Sequence, residues 1–340
     1  MLKAFALASG LLASSALTIP AFAQDAVPVT LTTGWVLNGG SAPLVLADDL
    51  GYFDEANVDV DIVRGFGSAD VVSKVAAGTY QAGTGSLPAL VQAIAADPDF
   101  DAIAVMISFD ASPDAIVGPR STGIVEPADL AGRKLSTQPN STTQTIFKSF
   151  ADAVGLAADS VEWVEVGPEL VGVVVQQGQA DGVAQFAASA IANFSRLGIT
   201  EEDLYQFNFS DYVDNLYGNG LILQKSWAEA NPEAAKGVVR AYALGLIAAY
   251  QDPTAAIDAV MAREPLLTRE VEAADLAYSN ANYYFTPSIV ENGLAYHSEE
   301  DVQAFVNLLG NAFDLERVPD VSEVFTSAYL PSAEELQVPK

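Results

Sequence analysis

Strands and helices alternate along most of this chain, and this alternation constrains its fold more than any other feature of the sequence. Short runs rich in Val, Ile and Thr are followed by helical segments, several of which end at a Gly. Strands connected by helices in this way pair in parallel, so the pattern predicts mainly parallel sheets with helices on both faces. The pattern occurs twice, from Val29 to Ile107 and again from about Ala115 to Leu197. We therefore predict an α/β fold with two units, or lobes, of similar organisation.

The pattern changes after Tyr212. An apolar strand at 220–225 (GLILQK) predicts a return of the chain to lobe one, and the segments beyond it have the periodicity of amphipathic helices. We expect these helices to pack on lobe one, because no further strand-rich segment could form a third domain. The chain would then cross between the lobes near 110–115 and near 212–218, which predicts a hinge. The predicted organisation is 24–110 for the first part of lobe one, 111–212 for lobe two and 213–340 for the return to lobe one.

The first 23 residues are typical of a secretory signal peptide. Lys3 precedes an apolar run from Ala4 to Leu17, and Ala21-Phe22-Ala23 is a cleavage site of the A-x-A type. The apolar run is too short for a membrane anchor. The sequence contains no cysteine that could carry a lipid or form a disulfide. We therefore predict that residues 1–23 are removed and that the mature protein is periplasmic and not lipidated.

The chain is strongly acidic, with 15 Lys and Arg residues against 44 Asp and Glu residues and a formal net charge of -29. A surface of this sign repels nucleic acid and anionic lipid, so both are poor partners. Half of the residues are hydrophobic, which indicates a large core rather than an acidic disordered chain. A mature chain of about 315 residues fits two domains, and we expect a monomer.

The stretch from Arg64 to Ser86 contains a strand end, two glycine-rich turns and the starts of two helices. Ser68 is placed to cap the first helix, which ends at Gly78, and Thr84-Gly85-Ser86 opens the second. The N-terminus of a helix carries unpaired N–H groups and a partial positive charge. Two such ends at one crevice would form half of a binding site for a small polar or anionic group. The alternative is that these are ordinary turns of an α/β domain.

Several motifs in this chain resemble those of one family of transport proteins. They are Trp35 to Asn38 (WVLN), the run LADDLGYFDEANVDVDIVRGFGSADVVSKVAAG, Leu130 to Lys134 (LAGRK) and Tyr217-Gly218-Asn219. They are similar to motifs of the periplasmic solute-binding proteins of nitrate/sulfonate/taurine-type ABC importers, and especially of the NMT1/THI5-like branch. The resemblance implies a type II periplasmic-binding-protein fold that closes on a small-molecule solute, and a partner ABC permease with its ATPase. Members of the family bind sulfonates, bicarbonate or nitrate, or pyrimidines, so the resemblance does not identify the solute.

The resemblance also implies a ligand site. Trp35 would form an apolar wall at the end of the first strand, although Leu37 stands where the family usually has Pro before the Asn. The positions carried over from the family are Trp35, Asn38, Ser68, Thr84 and Ser86 in lobe one, Asn140, Ser141, Thr142 and Gln185 in lobe two, and Tyr217 near the hinge. Core packing is the alternative for the two aromatic residues, and helix capping for the Asn, Ser and Thr residues. We assign Trp163 to the core.

Few basic residues lie near these positions, and this bears on the charge of the solute. They are Arg64, Lys74, Arg120, Arg133 and Lys134. The resemblance implies that the last two face away from the site. A buried anion needs Arg partners or several N–H donors. We therefore expect a planar heterocyclic or aromatic solute, similar to a pyrimidine precursor, with a sulfonate or taurine-type anion as the alternative.

An enzyme similar to the thiamine-pyrimidine synthases is the alternative from another class. In those enzymes a Lys carries pyridoxal phosphate and a nearby His is consumed, whereas this chain has Gly85 and Ala89 where that pair is expected, and it has no cysteine for their iron motif. The single histidine, His297, has no cluster of reactive residues around it, and we expect it at the surface. The sequence also lacks a G-x-S-x-G elbow, a P-loop and an EF-hand loop. We therefore predict no catalytic residue, no cofactor and no metal.

Overall fold

The computed structural model describes residues 25–139 and 141–339, so the predicted signal peptide and Asn140 lie outside the described residues. Within the described part of the chain, ten strands form two five-stranded sheets. The strands are β1 (Val27–Thr32), β2 (Val58–Val63), β3 (Ala82–Ser86), β4 (Ala102–Ile107), β5 (Asp114–Pro119), β6 (Lys134–Thr137), β7 (Glu162–Glu165), β8 (Gly182–Phe186), β9 (Leu204–Asn208) and β10 (Asn219–Gln224).

Helices connect these strands and form the C-terminal part of the described chain. They are α1 (Ala42–Asp49), α2 (Tyr52–Glu55), α3 (Ser68–Ala76), α4 (Leu87–Ala96), α5 (Thr142–Ala153), α6 (Val171–Gln176), α7 (Ala187–Arg196), α8 (Lys225–Ala230), α9 (Pro232–Gln251), α10 (Pro253–Arg263), α11 (Arg269–Ser279), α12 (Pro287–Asn292), α13 (Glu299–Ala312) and α14 (Val321–Val324). A π-helical turn, Asn280–Tyr284, follows α11 directly.

The two sheets have the same construction. The strand order is β2-β1-β3-β10-β4 in lobe one and β7-β6-β8-β5-β9 in lobe two. One strand in each sheet, β10 or β5, runs antiparallel to both of its neighbours, and the other neighbouring strands pair in parallel. The predicted α/β fold with two similar units is confirmed, and the predicted return strand is β10 of lobe one.

Two segments, 108–113 and 209–218, carry the chain from one sheet to the other. They run side by side, because the N–H groups of Ser108 and Phe109 donate to the carbonyl of Asn219 at 3.1 and 2.9 Å, and the N–H of Gly218 donates to the carbonyl of Phe109 at 3.1 Å. Rotation of one lobe against the other therefore acts on two short segments that are hydrogen-bonded to each other.

The C-terminal helices pack mainly on lobe one. The buried residues of α9, among them Val238, Tyr242 and Leu246, share a hydrophobic cluster with β1 and β10. Two of these helices also contact lobe two, since α11 packs against α7, and α13 packs against both α4 and α5. The apolar stripe of α13, which includes Phe305 and Leu309, belongs to a cluster that contains residues of both lobes. The lobes are thus joined by packing as well as by the two crossings.

Some local details differ from the sequence-based predictions. Strand β9 and helix α12 were not predicted, and a 3-10 turn, Pro168–Leu170, directly precedes α6. Ser68 does not cap α3: Gly67 occupies the cap position, with φ at 137°, where a side chain would be strained. No helix among residues 25–139 and 141–339 is long and apolar enough to cross a membrane.

Candidate functional site

The loop after β1 and the start of α3 lie against each other at the edge of sheet one. The N–H of Gly34 donates to Oγ1 of Thr84 at 2.8 Å, and the N–H of Gly67 donates to the carbonyl of Gly34 at 3.1 Å. A Cβ on Gly65 would lie 1.9 Å from the carbonyl oxygen of Thr33, so only glycine allows this approach. These contacts hold Trp35 and the N-terminus of α3 at the same end of the sheet.

A cavity between the lobes begins at this edge and encloses about 1210 Å³, its open mouth included. Seven of the ten predicted positions line it: Trp35, Asn38, Ser68, Thr84, Ser141, Thr142 and Gln185. They come from both lobes, so the cavity is an interlobe cleft. Trp35 is 37 % exposed, which is inconsistent with the core alternative for this residue.

Of the three remaining predicted positions, Ser86 and Tyr217 do not line the cavity. Ser86 is buried, and its hydroxyl accepts the N–H of Ala89 at 3.2 Å as the cap of α4. Tyr217 is also buried and packs edge-on against His297, with 4.7 Å between ring centroids, and against Phe305. The structure therefore places these two residues as a helix cap and a core residue, which were the alternatives for them. Asn140 lies outside the described residues.

Several cavity side chains already have protein partners. Oδ1 of Asn38 accepts the N–H of Ser41 at 3.2 Å, and the Ser141 hydroxyl accepts the N–H of Gln144 at 3.5 Å as the cap of α5. Oε1 of Gln185 accepts a hydrogen bond from Asn193 at 3.2 Å. Capping and exposure to the cavity thus coexist, because these side chains lie at helix starts that face the cleft.

An aromatic wall that the sequence analysis missed forms one side of the cavity. It consists of Phe109 from the first crossing, Tyr242 from α9, and Tyr283 and Tyr284 from the π-helical turn. Phe109 stacks on Tyr283, with 5.0 Å between ring centroids and 24° between planes, and meets Tyr284 edge-on at 4.9 Å. The run NANYYF could have drawn attention to these tyrosines, but α-helical periodicity does not place both on the cleft. The π-helical turn does so by changing the residue spacing.

The lobe-two side of the cavity contains a hydroxyl that is fixed by a buried carboxylate. Thr143 lines the cavity and donates to Asp114, which also accepts a hydrogen bond from Ser112 at 2.7 Å. Burial raises the pKa of Asp114 to about 6, although these hydrogen bonds oppose the rise. The lone pairs of the Thr143 hydroxyl remain able to accept a hydrogen bond from a ligand.

The cavity has an unusual charge balance. Among the described residues that line it there is no Lys, Arg or His, and Asp275 of α11 is the one carboxylate. Burial raises the pKa of Asp275 to about 6, against the effect of the Gly40 N–H that donates to it. The surroundings of Asp275 thus disfavour its ionisation unless a cationic group faces it.

His297 is not at the surface, so that prediction was wrong. Its side chain is 1 % exposed and its Nε2 lies 2.8 Å from Oδ1 of Asp110, next to the first crossing. Asp110 also accepts hydrogen bonds from Thr286 and Tyr296. Burial opposes ionisation of Asp110, but the bonds from His297 and Thr286 outweigh it and lower the pKa of this carboxyl. His297 thus ties the C-terminal segment to the hinge region and does not line the cavity.

The chain is similar in sequence to one protein family and to two named relatives. The model of the family described as "NMT1/THI5 like" matches residues 38–256. A protein of Haemophilus influenzae whose name refers to thiamine biosynthesis is 25 % identical over 167 residues, which cover 49 % of this chain and 52 % of that protein. The chain thus matches only about half the length of this relative. The 4-amino-5-hydroxymethyl-2-methylpyrimidine phosphate synthase of Legionella pneumophila is 20 % identical over 310 residues, or 89 % of this chain and 92 % of the synthase.

Among solved structures, the periplasmic aliphatic sulphonate binding protein SsuA from Escherichia coli has a similar fold. The TM-score is 0.68 at 16 % identity, over 87 % of this chain and 91 % of SsuA. Together with the two lobes, the paired crossings and the cleft, this similarity defines the fold as that of the periplasmic binding proteins. The chain belongs to the NMT1/THI5-like family, whose model covers more than half of it.

Proposed function

We propose that this protein is the substrate-binding component of an ABC importer, which captures a small organic solute between its lobes and delivers it to the permease. The first 23 residues support export to the periplasm as the place where this happens. The observation that most supports this proposal is the interlobe cleft, which lies beside the paired crossings and is lined by side chains of both lobes. A ligand that contacts both lobes stabilises the closed arrangement, which a permease can recognise.

Within this function we favour a solute with a planar heterocyclic or aromatic ring. Exposed Trp35, partly buried Phe109 and the buried rings of Tyr242, Tyr283 and Tyr284 line the same space. Aromatic pairs gain roughly 0.5 to 1.5 kcal/mol beyond the burial of their area, so such a lining favours flat, unsaturated ligands. The lining extends from Trp35 in lobe one to Gln185 in lobe two, so the cleft can contact a molecule of this kind from both lobes.

The same lining disfavours a sulfonate. A desolvated anion is held by Arg, Lys or a set of converging N–H donors, and the described lining of this cleft has no basic side chain. The helix starts at Ser68 and Thr142 supply some N–H donors, but Asp275 opposes their effect. SsuA is named for sulphonate binding, and we propose that this chain differs from it in its ligand.

We also propose that the chain acts as a binding protein rather than as a synthase. The relative from Legionella pneumophila is named as a pyrimidine phosphate synthase, but it is distant. The cleft lining, as described, offers no Lys for a Schiff base and no His, and the whole sequence lacks Cys. The Lys and the His that such chemistry uses are therefore missing from the described cleft.

A thermal-shift screen of the mature chain tests the proposal. The solutes are pyrimidines, other heterocycles, sulfonates and aromatic acids, each at a series of concentrations. A ligand at 100 times its Kd stabilises the folded state by about 2.7 kcal/mol, which raises the Tm by several degrees. We expect stabilisation by ring compounds. Stabilisation by taurine-like sulfonates alone would refute the favoured solute class, and the absence of any binding solute across the screen would refute the function.

A further inference from the structure

The charge of the cleft points to a feature of the solute that the fold and the family do not specify. Asp275 lies on α11, where this helix packs against the turn Asn38–Ser41 at the inner end of the cleft. Its Oδ2 accepts the N–H of Gly40 at 3.1 Å, which is a neutral partner. A bound ligand would therefore meet a carboxylate whose charge is not balanced within the cleft.

Two charged groups near Asp275 act on it in opposite directions. Glu272, one turn earlier on α11, is buried and accepts the N–H of Gly39 at 2.8 Å, so it adds negative charge. Arg196 of α7 is a nearby cation, but its guanidinium donates to Oδ1 of Asn193 at 3.0 Å and does not line the cavity. The local balance of charge is thus negative on the cleft side of α11.

Other oxygen atoms gather at the same place. A Cβ built on Gly40 would lie 3.6 Å from Oδ1 of Asn38, 3.6 Å from Oγ of Ser279 and 3.7 Å from Oδ2 of Asp275. A Cβ there would meet these atoms at ordinary contact distance, so the three side chains lie close together, and all four residues line the cavity. The lining beside Gly40 thus holds a carboxylate, an amide and a hydroxyl, whose oxygens can accept hydrogen bonds from a group with several N–H donors.

The lining of the same cavity contains a further acceptor, and a tyrosine lies beside Gly40. Asn219, at the start of β10, is 8 % exposed, lines the cavity, and its Oδ1 has no hydrogen-bond partner among the described residues. The ring of Tyr284 is next to Gly40, because its hydroxyl donates to the Gly40 carbonyl at 2.7 Å. Aromatic faces attract cations, and a carboxylate beside them strengthens the attraction.

Building on the proposed function, we propose that the solute is an organic cation, in which a protonated amine or amidine group is attached to the ring that contacts Trp35. Its N–H groups bind the oxygens around Gly40, with Asp275 as the counter-ion, while the ring lies along the aromatic wall. This arrangement selects for positive charge in two ways. A neutral ring loses the charge-assisted hydrogen bond, and an anionic ring meets an unbalanced carboxylate.

Three probes with one ring and three charges test this inference by isothermal titration of the mature chain at neutral pH. They are benzamidine (cationic), benzamide (neutral) and benzenesulfonate (anionic). We expect benzamidine to bind about tenfold or more tightly than benzamide, and benzenesulfonate to bind most weakly. Asp275→Asn keeps an oxygen for the Gly40 N–H, so its fold should be retained. In this variant the preference for benzamidine over benzamide should fall to less than about twofold.

Asp314→Asn is the matched control, because it removes one negative charge from a side chain that is 80 % exposed, pairs with Lys148 at 3.5 Å and is not part of the cleft lining. It should leave the preference unchanged. Equal or tighter binding of benzamide by the wild-type chain would overturn the inference, as would an unchanged preference in folded Asp275→Asn. If none of the three probes binds while a neutral or anionic solute of the thermal-shift screen does, the inference fails and the proposed function stands. If no solute binds in either experiment, both fail.

Discussion

Replacing Trp35 by Ala tests most directly whether the cleft binds a ring. Trp35 is 37 % exposed, which corresponds to about 90 Å² for a side chain that offers up to about 250 Å². At about 25 cal/mol per Å², complete coverage by a ligand would contribute about 2 kcal/mol, and coverage of one face about half of that. We therefore expect Trp35→Ala to weaken binding by about 1 to 2 kcal/mol, or roughly five- to thirtyfold in Kd.

The folded state should be little affected by this change, because the backbone carbonyl of Trp35, which accepts the N–H of Gly65 at 2.9 Å, is retained. Trp163→Ala is the matched control. Trp163 packs edge-on against Phe147 at 5.2 Å between ring centroids, away from the cavity lining, and its loss should lower the free energy of unfolding by about 1 to 3 kcal/mol without changing Kd. Titration with the tightest-binding solute of the screen, together with melting curves, separates the two effects. Unchanged affinity with a lowered Tm in Trp35→Ala would refute ring stacking on Trp35.

Three further predictions concern the lobes and the lobe-two wall. Small-angle scattering should show a smaller radius of gyration at saturating solute, because closure brings the lobes together, and identical curves would indicate a rigid cleft. If their hydroxyls contact the solute, Ser141→Ala and Thr142→Ala should each weaken binding by about 1 to 3 kcal/mol, with a smaller change in Tm. Titration and melting curves measure the two effects, and a loss of stability without a loss of affinity would mean that both residues only cap the helix. Asp114 has a pKa of about 6, above its usual value, so its ionisation destabilises the folded state as pH rises from about 4 to 6. The Asn side chain cannot ionise. The difference in free energy of unfolding, Asp114→Asn minus wild type, should therefore rise by about 2 to 3 kcal/mol between about pH 4.5 and 7.5, measured by urea unfolding. A difference that does not change with pH would contradict this prediction.

The elements that could be predicted from the sequence are those with local signals. The glycines and small polar residues between Arg64 and Ser86 mark the ends of α3 and β3, and Pro232 marks the start of α9. The resemblance to the family supplied most of the predicted cleft positions, because they lie at strand ends and helix starts that the fold brings to one edge. Strand β9 was missed because its sequence, LYQFN, has none of the Val, Ile and Thr residues that marked the other strands.

The parts that could not be predicted depend on contacts between distant segments. His297 lies 187 residues from Asp110 in the sequence, and no local pattern indicates that these two side chains meet in the interior. Asp275 and Tyr283 belong to the C-terminal segment, where α11 packs against α10 and α7 and the π-helical turn follows it directly. The charge of the cleft follows from such contacts, so composition and motif alone did not indicate it.

The position of β10 has a consequence for the order in which the protein assembles. Strand β10 lies between β3 and β4, so sheet one has a gap until residues 219–224 are available, whereas the strands of sheet two all come from the continuous stretch 114–208. As the chain becomes available from its N-terminus, lobe two can complete its sheet first, whereas the first four strands of lobe one must wait for β10. The segment that closes the first sheet is also the one that begins with Asn219 in the cleft. A cleft that can bind a solute therefore exists only after β10 has taken its place between β3 and β4 in lobe one.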